Sequence, residues 1–199
     1  VTGRGFHTEE EIQGAGDIYN LSGGILAWDQ ATVSSQPNVQ LFDGQATLEM
    51  FRTAMNLEKG AMRFYTHIND AYPDTSWSEV FGRLARAETV HAKTVHEAWE
   101  QRDADLEPFE PLFEGLDGEV LEGGLALNDA ITQLASAKEQ SCLRMLEMAL
   151  KIEYSAYDLY RTLAHQLSES EGSEVFLSIA QAEKGHMRAL IVTIESCTP

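Results

Sequence analysis

Cysteine is scarce. The 199-residue chain holds two, Cys142 and Cys197, in no CxxC spacing, which argues against a thiolate zinc site or a disulfide framework and leaves two reduced thiols of a cytoplasmic protein as the expectation. Basic residues are few as well. Fourteen Lys and Arg against 32 Asp and Glu give a formal charge of −18, which repels nucleic acid and anionic membrane and leaves cations as natural partners. No apolar run reaches the roughly 18 residues that a spanning helix needs. No signal peptide is visible, and Val1 in place of Met leaves open what precedes it in the native chain. The short motifs lack context too: "GRG" and "GAG" have no third glycine for a dinucleotide turn, and "NLS" at Asn20 has no secretory setting for glycosylation. No Ser/His/Asp spacing is favoured, and no catalytic cysteine is assigned.

What is present is a repeat. Shifted by 95 residues, Leu48, Met50, Ala54, Glu58, Ala61 and Tyr65 fall on Leu143, Met145, Ala149, Glu153, Ala156 and Tyr160. Farther along, Ser78, Glu79, Val80, Phe81, Ala85, Ala87, Glu88 and His91 fall on Ser173, Glu174, Val175, Phe176, Ala180, Ala182, Glu183 and His186. The matches run through two segments and the turn between them, so the unit is a duplicated helical hairpin. Its period is helical: Leu48, Phe51, Met55, Glu58, Met62, Tyr65 and Ile68 recur at steps of three and four, as do Phe81, Leu84, Glu88, His91 and Val95. Helices are expected at about 45–69, 77–101, 141–168 and 174–195, with a capping box in "SWSE" at 76–79 and Pro73 ending the helix before it. Gly172 and Ser173 punctuate the second hairpin at the same place. The acidic stretch "DADLEPFEPLFEGLDGEVLEGG", 103–124, broken by proline and glycine, suits a long crossing connection with a short helix after it near "NDAITQLASA". Two hairpins joined by one crossover make an all-α, ferritin-like four-helix bundle.

The stripes carry groups that resist burial. Glu88 and His91 share a face with Phe81, Leu84 and Val95; Glu183 and His186 repeat the arrangement, and Glu58 and Glu153 interrupt the stripes of their own helices. An unpaired buried carboxylate costs several kcal/mol, and four together cost more. Lys59, Arg63, Arg86 and Lys184 sit off the stripes and do not neutralise them. Two divalent ions would. One Glu from each of two helices plus Glu-x-x-His from the other two is a di-iron carboxylate ligand set. Oxygen-rich ligation with two nitrogens suits two iron ions, with manganese or zinc as alternatives. Tyr65 and Tyr160, seven residues beyond Glu58 and Glu153, read as hydrogen-bond donors to the site, radical-quenching phenols or core tyrosines. His67, His96 and His165 fall outside the motif registers and read as surface or packing residues; Met50, Met55, Met62 and Met145 read as core filler.

"NLEKGAMRFY" with "ARAETVH", then "KIEYSAYDLY" with "AQAEKGH", resembles the rubrerythrin-like branch of the ferritin-like superfamily over roughly residues 44–196. The resemblance implies that Glu88 and Glu183 bridge two metals, Glu58 with His91 completing one position and Glu153 with His186 the other. It implies reduction of peroxide or dioxygen, or alternatively ferrous iron oxidation and storage, and a homodimer. A third reading, independent of it, has the metals only hold the bundle together. Two features of the family's peroxidases are missing: a carboxylate three residues along the third helix, where Ala156 stands, and the paired CxxC motifs of a rubredoxin-type centre. Turnover would therefore draw on an external electron-donor protein.

"GDIYNLSGGILAW", 16–28, resembles the closing strand, turn and helix of a rhodanese domain without its cysteine loop. Residues 1–36 are accordingly expected to be a short α/β, rhodanese-like C-terminal piece, and 37–199 the di-metal bundle, with "VSSQPN", 33–38, as linker.

Overall fold

The computed structural model describes residues 39–136, 142–168 and 172–197; the rhodanese-like stretch lies outside them. After a 3-10 turn at Val39–Phe42, α1 (Thr47–Ala71) and α2 (Ser78–Glu100) form the first hairpin. The crossover carries two short helices, α3 (Phe109–Gly115) and α4 (Leu127–Ser136), before α5 (Cys142–Gln166) and α6 (Ser173–Glu195) form the second. This is the expected ferritin-like bundle. No helix among the described residues is long and apolar enough to cross a membrane.

Two buried apolar clusters fill the bundle, one above the other. On each long helix the change from one cluster to the other occurs at an acid. Along α1 it falls between Leu57 and Ala61, around Glu58; along α2 between Leu84 and Ala92, around Glu88 and His91. Along α5 it falls between Ile152 and Ala156, around Glu153; along α6 between Ala180 and Leu190, around Glu183 and His186. The polar layer is thus enclosed from both ends by side chains such as Phe51, Met55 and Phe176 on one side and Phe64, Phe81 and Leu146 on the other, all buried. Burying each such side chain is worth about 1.5–3 kcal/mol, and that margin lets the fold carry charged residues at its centre.

The crossover is pinned to α1 by residues that stand off its apolar stripe. Lys59 Nζ donates to the carbonyls of Phe113 (2.7 Å) and Glu114 (2.8 Å). Arg63 donates to the carbonyls of Asp117 and, at 3.0 Å, of Gly118, and Asn56 Oδ1 accepts from the Gly118 N–H at 2.9 Å. From α2, His96 Nε2 reaches the carbonyl of Glu107 at 2.8 Å.

Two expectations need correction. The "SWSE" capping box does not form: α2 begins at Ser78 with Trp77 as its N-cap and no side-chain cap bond, so Ser76, the serine of the box, falls one residue before the cap position. Nor are the cysteines free. Cys142 and Cys197 form a disulfide, their Cα atoms 5.7 Å apart across 55 residues of sequence. Cys142 opens α5 and Cys197 follows the end of α6, so the antiparallel hairpin brings them together.

Candidate metal centre

The six residues singled out by periodicity meet in one place. Glu58, Glu88, Glu153 and Glu183 are all buried, as is His91, with His186 half-buried. His91 Nδ1 lies 3.1 Å from Glu88 Oε2, 3.1 Å from Glu183 Oε1 and 3.3 Å from Glu58 Oε2. His186 Nδ1 lies 2.8 Å from Glu183 Oε2, 2.9 Å from Glu153 Oε2 and 3.7 Å from Glu88 Oε1. The two sets correspond under the internal repeat, and the imidazoles stack with centroids 5.1 Å apart. Glu88 and Glu183 approach both imidazoles; Glu58 and Glu153 approach one each.

One imidazole N–H donates one hydrogen bond, so three carboxylates around each nitrogen cannot all be satisfied. Both oxygens of Glu58, both of Glu183 and Oε1 of Glu88 have no hydrogen-bond partner. Orphaned acceptors in a dry interior are what a bound cation would answer. The spacing fits as well. Donor atoms each roughly 2.1 Å from one ion and at right angles about it lie about 3.0 Å apart, which is how the Nδ1 and carboxylate oxygens stand. Glu88, His91, Glu183 and His186 can each present a ligand atom within 4.8 Å of the others.

Protonation follows the crowding. Burial, then the charges of Glu153 and Glu183, push the Glu88 carboxyl well above its usual range. Burial, then the Glu183 charge, raises Glu153 to about 8 against the pull of His186. Burial would raise Glu183 too, but the close approach of the His186 and His91 imidazoles outweighs it and holds the carboxyl below the ordinary range. The difference from Glu88 is geometric: Glu183 has the imidazoles at 2.8 and 3.1 Å, whereas Glu88 has one at 3.1 Å and the other at 3.7 Å. Burial works to lower His91, but Glu183, Glu58 and Glu88 hold it well above normal; His186, likewise opposed by burial, is raised to about 9 by Glu153 and Glu183. Without a metal, then, the cluster holds protons in the cation's place.

The tyrosines reach across the bundle. Tyr65, on the helix of Glu58, donates from its hydroxyl to Glu153 Oε1 at 2.6 Å. Burial, then Glu153, raises its phenol well above normal. Tyr160 answers to Glu58, whose charge after burial is the largest influence on its phenol, but its hydroxyl has no aligned partner. His67 and His165 are exposed, and His96 is buried and tied to the crossover. Met50, Met55 and Met145 are core residues.

One buried acid escaped the sequence reading. Glu122, in the crossover, is 1% exposed with Oε2 unpartnered. Its signal was faint: a single acid between Leu121 and the pair Gly123–Gly124 in a stretch without helical period.

The family model described as Rubrerythrin matches residues 49–117 and 144–199, the two hairpins and the first part of the crossover. No curated protein and no solved structure matches the chain.

Proposed function

Given that the chain belongs to the rubrerythrin family, we propose that it is a non-haem di-iron oxidoreductase that reduces hydrogen peroxide or dioxygen with electrons from an external donor protein. The observation that carries the reading is the convergence of each imidazole Nδ1 with three carboxylates, five of whose oxygens lack any other partner.

Glu58, Glu88 and His91 together with Glu153, Glu183 and His186 would hold the ions, Glu88 and Glu183 being the two acids that approach both imidazoles. Iron bound there would supply the Lewis acidity and the electrons for O–O cleavage, with manganese or zinc as alternative occupants. The chain's own residues do the rest. The carboxylates offset positive charge, Tyr65 fixes the orientation of Glu153, and the apolar layers above and below keep bulk water from the centre. The acidic chain avoids nucleic acid and anionic membrane. A homodimer and a cytoplasmic location belong to the same reading; light scattering tests the first and fractionation of expressing cells the second.

Anaerobic loading with ferrous iron, followed by peroxide or air while the visible spectrum is recorded, tests the reaction. Fast oxidation by peroxide and slow oxidation by air is the expected result. The reverse order would favour iron oxidation and storage, and an inert, zinc-filled protein would favour a metal that only holds the bundle. Glu88→Ala and Glu183→Ala are each expected to abolish paired metal occupancy; two ions retained in either variant would contradict the ligand assignment.

A further inference from the structure

Glu122 is a buried charge for which the six-residue centre has no use. It sits on a tight turn in the crossover: the Leu121 N–H donates to the Leu125 carbonyl at 2.9 Å, the Gly124 N–H to Leu121 at 2.7 Å and the Leu127 N–H to Glu119 at 2.8 Å. The turn is wedged against two helices of the bundle. A Cβ on Gly60 of α1 would stand 2.3 Å from the Val120 carbonyl oxygen, and a Cβ on Gly123 would stand 3.2 Å from Ser155 Oγ of α5. Gly60 lies two residues past Glu58, and Ser155 two past Glu153. The turn therefore meets α1 and α5 at the level of the two glutamates that approach only one imidazole each, and the bonds of Asn56, Lys59 and Arg63 keep it there.

Among the described residues no basic group is seen to neutralise the carboxylate that this wedge carries inward. Its own backbone amide offers it a bond, Oε2 has no partner, and the charges it feels most are Glu58, then Glu183 and Glu153, all of its own sign. A turn residue needs no such surroundings; a dry carboxyl under the charge of three others is tolerable when all share a cation. Resting on the metal-centre reading above, we infer that Glu122 is a fifth carboxylate of the centre, which enters from the crossover to ligate the ion held by Glu58 and His91.

The test is calorimetric titration of chelator-stripped protein with Mn(II), with elemental analysis of the product, for the parent, Glu122→Gln and Glu122→Leu. The parent is expected to bind two ions. Glu122→Gln, which keeps the shape, should weaken one position about 10- to 100-fold, the scale typical of losing a group that supports a metal site, and leave the other near its parental affinity. Metal-free Glu122→Leu should melt above the metal-free parent, because a buried carboxyl with an unpartnered oxygen is gone. Parental affinity at both positions in Glu122→Gln, or equal weakening of both, would overturn the assignment of Glu122 while leaving the six-residue centre standing. So would a metal-free Glu122→Leu that melts below the parent, since the carboxylate would then be holding the turn. A parent that takes up no Mn(II) would overturn both readings.

Discussion

Raising the pH from about 5 to about 9 should destabilise the metal-free protein, and bound metal should remove that trend. Glu153 moves from 4.5 to about 8 on folding, so between those values the folded chain holds a proton that the unfolded chain has released. Stability then falls as pH rises. His186 moves from 6.5 to about 9. Its contribution is fully present below 6.5 and is lost as pH climbs through 9. Each pH unit is worth about 1.4 kcal/mol, which gives on the order of 5 kcal/mol for Glu153 and about 3 kcal/mol for His186. The groups share one network and their effects overlap, so a total loss of roughly 5 kcal/mol is expected, a large part of the roughly 5–15 kcal/mol of a typical domain. Glu183 acts at the other end: lowered in the fold, it adds stability above 4.5 that disappears as pH falls. The metal-free optimum should therefore lie near pH 5. Urea midpoints followed by far-UV circular dichroism, in chelator and in saturating Mn(II), measure both curves. With metal in place the protons are displaced, and the midpoint should stay level or rise with pH. A metal-free midpoint that holds or increases from about pH 5 to about pH 9 would refute the reasoning.

Other perturbations have defined outcomes. Tyr65→Phe removes a buried 2.6 Å bond to Glu153 and should cost about 1.5–3 kcal/mol in the metal-free protein by thermal denaturation. Gly60→Ala drives a methyl into the Val120 carbonyl and should cost at least about 1–3 kcal/mol. Gly185→Ala, exposed on α6 with nothing within 4 Å of the new atom, should gain about 0.5–1 kcal/mol, so the pair of melts separates packing from helix propensity. Cys142→Ser opens a 55-residue loop and should cost about 4 kcal/mol by the loop-entropy relation; thiol titration of the unreduced parent should find no free thiol.

How much of this could be read from residues alone depends on whether a feature has a period. The four long helices and their buried acids were readable because a carboxylate at a stripe position contradicts the apolar residues three and four away, and because the contradiction occurs twice. The partners across the bundle were not. Tyr65 shares a helix with Glu58, yet its hydroxyl bonds Glu153, because a helical face shows which way a side chain points and not what faces it. The helix at Phe109–Gly115 is seven residues long behind Pro108, too short for a period to emerge. Glu122 lies in a turn, where neighbours along the chain say nothing about burial. The disulfide was missed for a related reason: one cysteine at each end of a hairpin becomes a pair only once the helices run antiparallel.

The duplication also bears on whether the two proposed metal positions can be equivalent. Each hairpin repeats the same acid, Glu-x-x-His and tyrosine, so the four long helices alone would build two positions of equal composition. The crossover exists once. Whatever it contributes, it contributes unequally: the largest single charge acting on Glu122 is Glu58 rather than Glu153. A reaction that needs its two metals to differ cannot get that difference from a perfect repeat. Glu122, in the role inferred above, would supply that difference from the one segment that was not copied.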